Sequence, residues 1–173
     1  RSHKSMGQGS EVFTEPALQS LVGSLAIGHT RYSTAGDTSL ANAQPLSVDC
    51  NKGLLAVAHN GNLVNAQEIR RRLEKRGSIF QTTSDTEVVL HLIAESRCRL
   101  LVDALSDALR QVEGAFSIVL LTRDRVIAVR DPRGFRPLCL GRLEGGVVFA
   151  SETCAFDLLG ATYEGEVEPG EMV

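Results

Sequence analysis

Ala58-His59-Asn60-Gly61-Asn62-Leu63-Val64-Asn65 is the stretch on which the reading of this chain turns. The apolar run Leu54–Ala58 predicts a buried strand. Asn60-Gly61 is a dipeptide that tolerates positive φ, so the strand is expected to run straight into a turn that presents backbone N–H groups. Asn65 and Glu68 have the spacing of a helix N-cap and its reciprocal partner, which predicts a helix beginning a few residues after the turn. A side-chain amide at Asn60 and a glycine N–H at Gly61, pointing the same way, are donors that stabilise an oxyanion when they lie about 3 Å from the developing charge. An ordinary strand-to-helix turn would use the same residues, so the neighbouring segments decide between the two readings.

Upstream, Ile27-Gly28-His29-Thr30-Arg31-Tyr32-Ser33-Thr34-Ala35-Gly36 reads as a second apolar strand that ends on an arginine and enters a polar loop. A guanidinium there can clamp a carboxylate with two parallel N–H bonds, a task that lysine performs poorly. Downstream, Ser84 and Glu87 repeat the capping-box spacing, with Asp85 in the first helical turn. Asp85 can complement the helix dipole or receive an ammonium group. A carboxylate at Asp85, a guanidinium at Arg31 and the Asn60–Gly61 pair are together what an α-amino acid with a reactive side-chain carbonyl requires. Thr34, on the same loop as Arg31, is a second candidate for the amino acid's carboxylate.

The rest of the chain predicts an α+β domain over residues 1–173, with strands first, helices in the middle and strands again. Helical spacing marks Gln67–Arg76, with Ile69 and Leu73 on one face and Gly77 as its stop; it also marks Asp85–Glu95 and Leu101–Val112. Ala115–Thr122, Val126–Arg130, Leu138–Gly141 and Val147–Ala150 are short runs rich in Val, Ile and Leu between turn signals, which fits an antiparallel meander. A last helix is expected over Cys154–Leu159, ended by Gly160. Of the 173 residues 43% are hydrophobic and 23% charged, and 18 basic against 21 acidic residues give a net charge of −3. That balance offers no footprint for nucleic acid or an anionic membrane, and no apolar run is long enough to span a bilayer. Cys50, Cys98, Cys139 and Cys154 show neither paired metal-ligand spacing nor a disulfide framework, so no metal is expected and a reducing, cytoplasmic setting is. Arg70-Arg71-Arg72 reads as a solvated helix face paired with Glu68 and Glu74, Gly7-Gln8-Gly9 as a flexible lead-in loop, and Asp131–Pro137 as a rigid connection between strands.

Five blocks in this order carry a family resemblance: His29–Gly36, Ala58–Leu63, Ser84–Glu87, Arg130–Leu138 and Ala150–Phe156. The first three resemble the class II glutamine amidotransferases, whose glutaminase domains use an N-terminal nucleophile. The Thr-Ala-Gly ending of the first block, with the last two blocks, resembles the amidophosphoribosyltransferase branch; other branches usually carry histidine where this chain has Ala35. The resemblance implies a four-layer αββα sandwich, with Asn60 and Gly61 as the oxyanion hole and Arg31, Thr34 and Asp85 as the clamp on glutamine. It implies glutamine hydrolysis feeding ammonia to phosphoribosyl pyrophosphate, and a homo-oligomer whose phosphoribosyltransferase domain lies on the same parent polypeptide. Magnesium is implied for the complete protein, with an iron–sulfur cluster left open, and no cofactor for this stretch. The family's nucleophile is a cysteine at the mature N-terminus whose own amino group acts as base. This chain begins Arg1-Ser2-His3 and also lacks the family's His-Arg-Gly-Gln block, so it is expected to start inside the domain, to leave one sheet short of strands and to be inactive by itself. Two alternatives stay open: a catalytically silent amino-acid-binding or assembly module, and the glutaminase domain of another class II amidotransferase.

Overall fold

The computed structural model describes residues 1–30 and 39–173. Two short helices come first, α1 (Gly9–Val12) and α2 (Glu15–Ser20), followed by a 3-10 turn at Leu40–Asn42. Then come β1 (Leu46–Cys50), β2 (Gly53–Leu63), α3 (Ala66–Glu74), α4 (Thr86–Glu95), α5 (Leu101–Leu109), β3 (Gly114–Leu121) and β4 (Val126–Arg130). The chain closes with β5 (Cys139–Leu143), β6 (Gly146–Ala150), α6 (Cys154–Leu159) and β7 (Thr162–Glu166). The helices and strands expected from Gln67 onwards are all present within a few residues of their predicted bounds. Gly160 ends α6 in the left-handed conformation, φ 68°, as a C-terminal glycine stop does.

Four expectations from the sequence are corrected. No described strand precedes Leu46, and Ile27–Thr30 forms none, because an apolar run becomes a strand only where a neighbour offers a ladder of backbone groups. Gly9 opens α1 instead of lying in a loop, and Pro16 behind Thr14 starts α2, where a missing N–H costs nothing. Neither predicted capping box forms. Asn65 stands at the head of α3, but its amide donates to the Gln111 carbonyl at 2.9 Å and accepts the Glu113 N–H at 2.9 Å, tying the β2–α3 turn to the α5–β3 turn. Glu87 reaches past Ser84 to the N–H groups of Gln81 and Thr82, both at 2.8 Å. The meander, finally, is split between two sheets, and β7 was not foreseen.

The first sheet has the order β1-β2-β3-β4 and the second β6-β5-β7, antiparallel throughout. Side chains alternate across a strand, and that alternation builds the layers. Leu55, Val57 and Leu63 of β2, with Phe116, Ile118 and Leu120 of β3, join Ile69, Leu73, Val89, Ile93 and Leu105 of the helices in the main core. On the opposite face Val119 and Ala128 meet Leu138, Phe149 and Val167 between the two sheets. The outer face of the second sheet is covered by α6, whose fully buried Phe156 sits over Gly141, where an added Cβ would be 3.0 Å from its ring. Helices, sheet, sheet and helix therefore follow one another as the αββα reading requires.

The connection from β4 to β5 is held by its own charged residues. Asp131, fully buried, accepts the N–H groups of Phe116 (3.3 Å), Arg133 (2.9 Å) and Arg136 (3.2 Å). Arg130 donates to the carbonyls of Arg136, Gly134 and Val167 and pairs with Glu166 at 2.7 Å. After β7 the chain returns to the first sheet, where Ala128 and Val173 exchange both backbone bonds at 2.9 Å. Replacing Asp131 by alanine strands three N–H groups at a buried position, and each unmet buried donor costs about 1–3 kcal/mol. Urea unfolding of Asp131→Ala is expected to show a loss of at least about 3 kcal/mol; a loss below 1 kcal/mol on the same scale would assign the loop's rigidity to its prolines.

Candidate functional site

β2 does not turn at Asn60-Gly61. It runs on to Leu63, and the turn falls at Val64-Asn65. Gly61 does have the positive φ that its sequence suggests, 146°, but for another reason: a Cβ there would lie 2.0 Å from the Ala115 carbonyl oxygen of β3. Gly114 makes the reciprocal approach, with a Cβ position 2.1 Å from the Asn62 carbonyl oxygen. Only glycine lets the two backbones come this close.

Successive residues of β2 thus serve opposite faces. His59 points to the helices, where it is buried with Nδ1 3.1 Å from the Thr86 hydroxyl and 3.8 Å from Asp85. Asn60 points between the sheets, where its side-chain oxygen accepts Nη2 of Arg136 at 2.8 Å and its Nδ2 lies 3.4 Å from the Ser151 hydroxyl.

The backbone alternates as well. Phe116, opposite Gly61, exchanges its bonds with Asp131, so the N–H and carbonyl of Gly61 point the other way, to the β1 edge. β1 pairs only as far as Leu46 opposite Val57. Beyond it the Gln44 side chain stands in for a strand, accepting the His59 N–H at 2.6 Å and donating to the His59 carbonyl at 3.3 Å. Further along, Asp85 accepts the Leu63 N–H at 2.9 Å. Between these two, the Gly61 N–H bonds to no described side chain or loop carbonyl. The side chain of Asp85 is 27% exposed, and among the described residues its second oxygen has two long contacts, with the Thr86 hydroxyl at 3.5 Å and with Nδ1 of His59 at 3.8 Å. A carboxylate offers about four acceptor positions, so room is left for a further donor.

Of the residues picked out by the sequence, Asn60, Gly61 and Asp85 meet along the end of β2, whereas Arg31 and Thr34 fall in residues 31–38, outside those described. Sequence reasoning missed Gln44, Arg136 and Ser151. The signal for Arg136 lies in the stretch Asp131–Pro137, which reads as a rigid connection with no task for its last charge. The four cysteines do not join the site. Cys139 is buried, with burial pushing its thiol up, and Cys154 is exposed beside Glu152. Among the described residues no three His, Cys, Asp or Glu side chains are grouped to hold a metal ion, and no helix is long and apolar enough to cross a membrane. The basic run on α3 is paired and stacked: Arg70 bonds Glu74 at 3.0 Å and lies over the Phe80 ring, while Arg72 turns to Gln111 in place of the expected Glu68.

A family model described as a glutamine amidotransferase domain matches residues 29–157, a span that contains Arg31, Thr34, Gln44, Asn60, Gly61, Asp85, Arg136 and Ser151. The chain belongs to that family. Amidophosphoribosyltransferase 3 of Arabidopsis thaliana, a chloroplastic protein, is 56% identical to this amidotransferase domain over 169 residues, which are 97% of the chain and 32% of the relative. The structure of glutamine phosphoribosylpyrophosphate amidotransferase from B. subtilis complexed with ADP and GMP superposes with a TM-score of 0.92 at 48% identity, covering 98% of this chain and 37% of that one. A structure described as the allosteric regulatory enzyme of purine biosynthesis gives a TM-score of 0.94 at 50% identity, with 98% and 37% covered. The domain thus spans about a third of the length of the proteins it resembles, and its fold is that of their N-terminal-nucleophile glutaminase region. The expectation of a cytoplasmic protein is corrected by the plant relatives, which are named as chloroplastic. Composition cannot register such an address.

His59 supplies a test of the site's electrostatics. Burial holds its imidazole below the ordinary histidine range, against the pull of the Asp85 carboxylate. The unfolded chain therefore takes up a proton before the folded one does, so stability present at neutral pH declines as pH falls below about 6.5. Urea unfolding between pH 7 and 5 is expected to show a steeper loss for the wild type than for His59→Gln, by at most about 1.4 kcal/mol per pH unit for one proton. Parallel profiles would mean that the ring titrates alike in both states.

Proposed function

We propose that this chain is the glutaminase domain of an amidophosphoribosyltransferase, hydrolysing glutamine to glutamate and delivering ammonia to phosphoribosyl pyrophosphate to form phosphoribosylamine. The observation that carries the reading is the end of β2, where among the described residues the Gly61 N–H has no partner between Gln44 and Asp85 and the neighbouring Asn60 amide has its oxygen already engaged. Two donors one residue apart suit the oxygen of an amide carbonyl as it turns tetrahedral. The substrate's ammonium goes to Asp85 and its carboxylate to Arg31, with Thr34 a second candidate for the same carboxylate. The attacking thiolate is assigned to a cysteine other than the four in this chain, since none of them bonds to Asn60, Gly61 or Asp85. Ammonia then passes to a phosphoribosyltransferase domain of the same polypeptide, in a homo-oligomer. Magnesium and any iron–sulfur cluster are assigned to that remaining part, and no step here passes through one.

In the full-length enzyme Asn60→Ala removes a donor used mainly in the transition state, so kcat for glutamine is expected to fall about 10²–10³-fold with little change in KM. A defect confined to KM would show that Asn60 holds the ground state and that the oxyanion lies elsewhere.

The clamp residues separate by a different readout. Asp85→Asn keeps an oxygen for the Leu63 N–H but loses the charge, so KM for glutamine should rise while an analogue without the α-amino group is largely spared. Arg31→Lys gives up a bidentate pair, a loss of about 2–3 kcal/mol in glutamine use, with ammonia-dependent synthesis nearly intact. If glutamine-dependent and ammonia-dependent rates fell together in Arg31→Lys, the residue would be supporting the fold or the contact between domains instead.

A further inference from the structure

We propose that Arg136 is the positioning residue of the oxyanion pair: it fixes the Asn60 amide with its oxygen turned away from the reacting carbonyl and its NH2 group available to it. This rests on the reading of Asn60 as an oxyanion donor. The two ends of an asparagine amide have nearly the same shape, and a half-turn about the last side-chain bond exchanges donor for acceptor. In the wrong orientation the amide oxygen would face the developing negative charge and repel it. A guanidinium removes the ambiguity, because it has only donors and keeps its charge at all working pH values. The Arg136–Asn60 bond at 2.8 Å is charge-assisted and tolerates only the orientation with oxygen inward.

Arg136 is itself held from both sides of its backbone. Its N–H goes to Asp131, and its carbonyl accepts Nε of Arg130 at 2.9 Å and the Ser117 hydroxyl at 3.2 Å. The rigid loop between β4 and β5 thus delivers one side chain to the end of β2. Two further observations fit positioning better than stability. Nε of Arg136 is buried without a partner among the described residues, an arrangement that costs free energy and is uncommon where stability is the only demand. The donor end of Asn60 has only the 3.4 Å contact with Ser151, near the outer limit of a hydrogen bond, so a substrate oxygen can displace it.

The test is a double-mutant cycle on glutamine hydrolysis by the full-length enzyme, using Arg136→Met, Asn60→Ala and the double variant. Arg136→Met is expected to lower kcat about ten- to a hundredfold with KM little changed, a part of what losing the donor itself costs. In the Asn60→Ala background the same substitution should have no further effect, because the amide it orients is gone. Arg136→Lys, which keeps one charged donor, should recover part of kcat; it also takes the place of Arg136→Met in the cycle if that variant does not fold. Losses that multiply in the double variant, or a defect confined to KM, overturn the proposal while leaving Asn60 as the donor. An Asn60→Ala enzyme with undiminished kcat overturns the reading of the site, and this proposal with it.

Discussion

The close approach of β2 and β3 at Gly61 and Gly114 is the constraint on which the site depends. At each glycine a carbonyl oxygen of the opposite strand lies about 2 Å from where a Cβ would be, so any other residue would have to push the strands apart. Neither the direction of the Asn60 side chain nor that of the Gly61 N–H could survive such a shift, because both are fixed by the register of β2 on β3. Asp85 depends on it too, since its carboxylate is anchored to the N–H of Leu63 two residues further along. One strand pair thus sets the relative positions of three groups that come from two distant parts of the sequence.

Much of this was legible in the sequence, and the parts that were not share a physical cause. Periodicity found α3 to α6 and the later strands because a one-sided apolar stripe has few other homes. The Asn60-Gly61 dipeptide was placed in a turn, since Asn-Gly carries the same preference for positive φ whether the need is a turn or a tight strand contact. Strand β7, Thr-Tyr-Glu-Gly-Glu, has no apolar alternation to betray it; it exists because β5 has a free edge. The capping boxes failed for a related reason. Asn65 and Glu87 each found partners elsewhere, at Gln111 and Glu113 or at Gln81 and Thr82, and local spacing carries no record of such competition. Gln44 is the extreme case, a side chain imitating a strand at a place defined only by where β1 ends.

The buried polar residues divide into two kinds. Asp131 and Arg130 spend most of their hydrogen bonds on backbone groups of the β4–β5 loop and tie that loop to β3 at Phe116 and to the end of β7 at Glu166 and Val167. Arg136 keeps Nε buried without a partner among the described residues, and it lies on the opposite face of β2 from the buried His59 ring. Unmet buried donors and acceptors are rare in folded proteins and concentrate where geometry is held for a purpose other than stability. The guanidinium with the unmet Nε is the one that holds the Asn60 amide.

The return of the chain after β7 ties together what the two-sheet architecture would otherwise leave separable. Residues 167–173 leave the second sheet at Val167, whose N–H donates to the Leu138 carbonyl and whose own carbonyl receives Arg130, and reach the first sheet at Met172 and Val173 beside β4. A sandwich whose halves met only through side chains could open like a book, one sheet fraying while the other persisted. Here the same short strap is hydrogen-bonded to both, so the halves melt as one cooperative unit, and the slowest-exchanging amides of β4 and β5 belong to a single opening event.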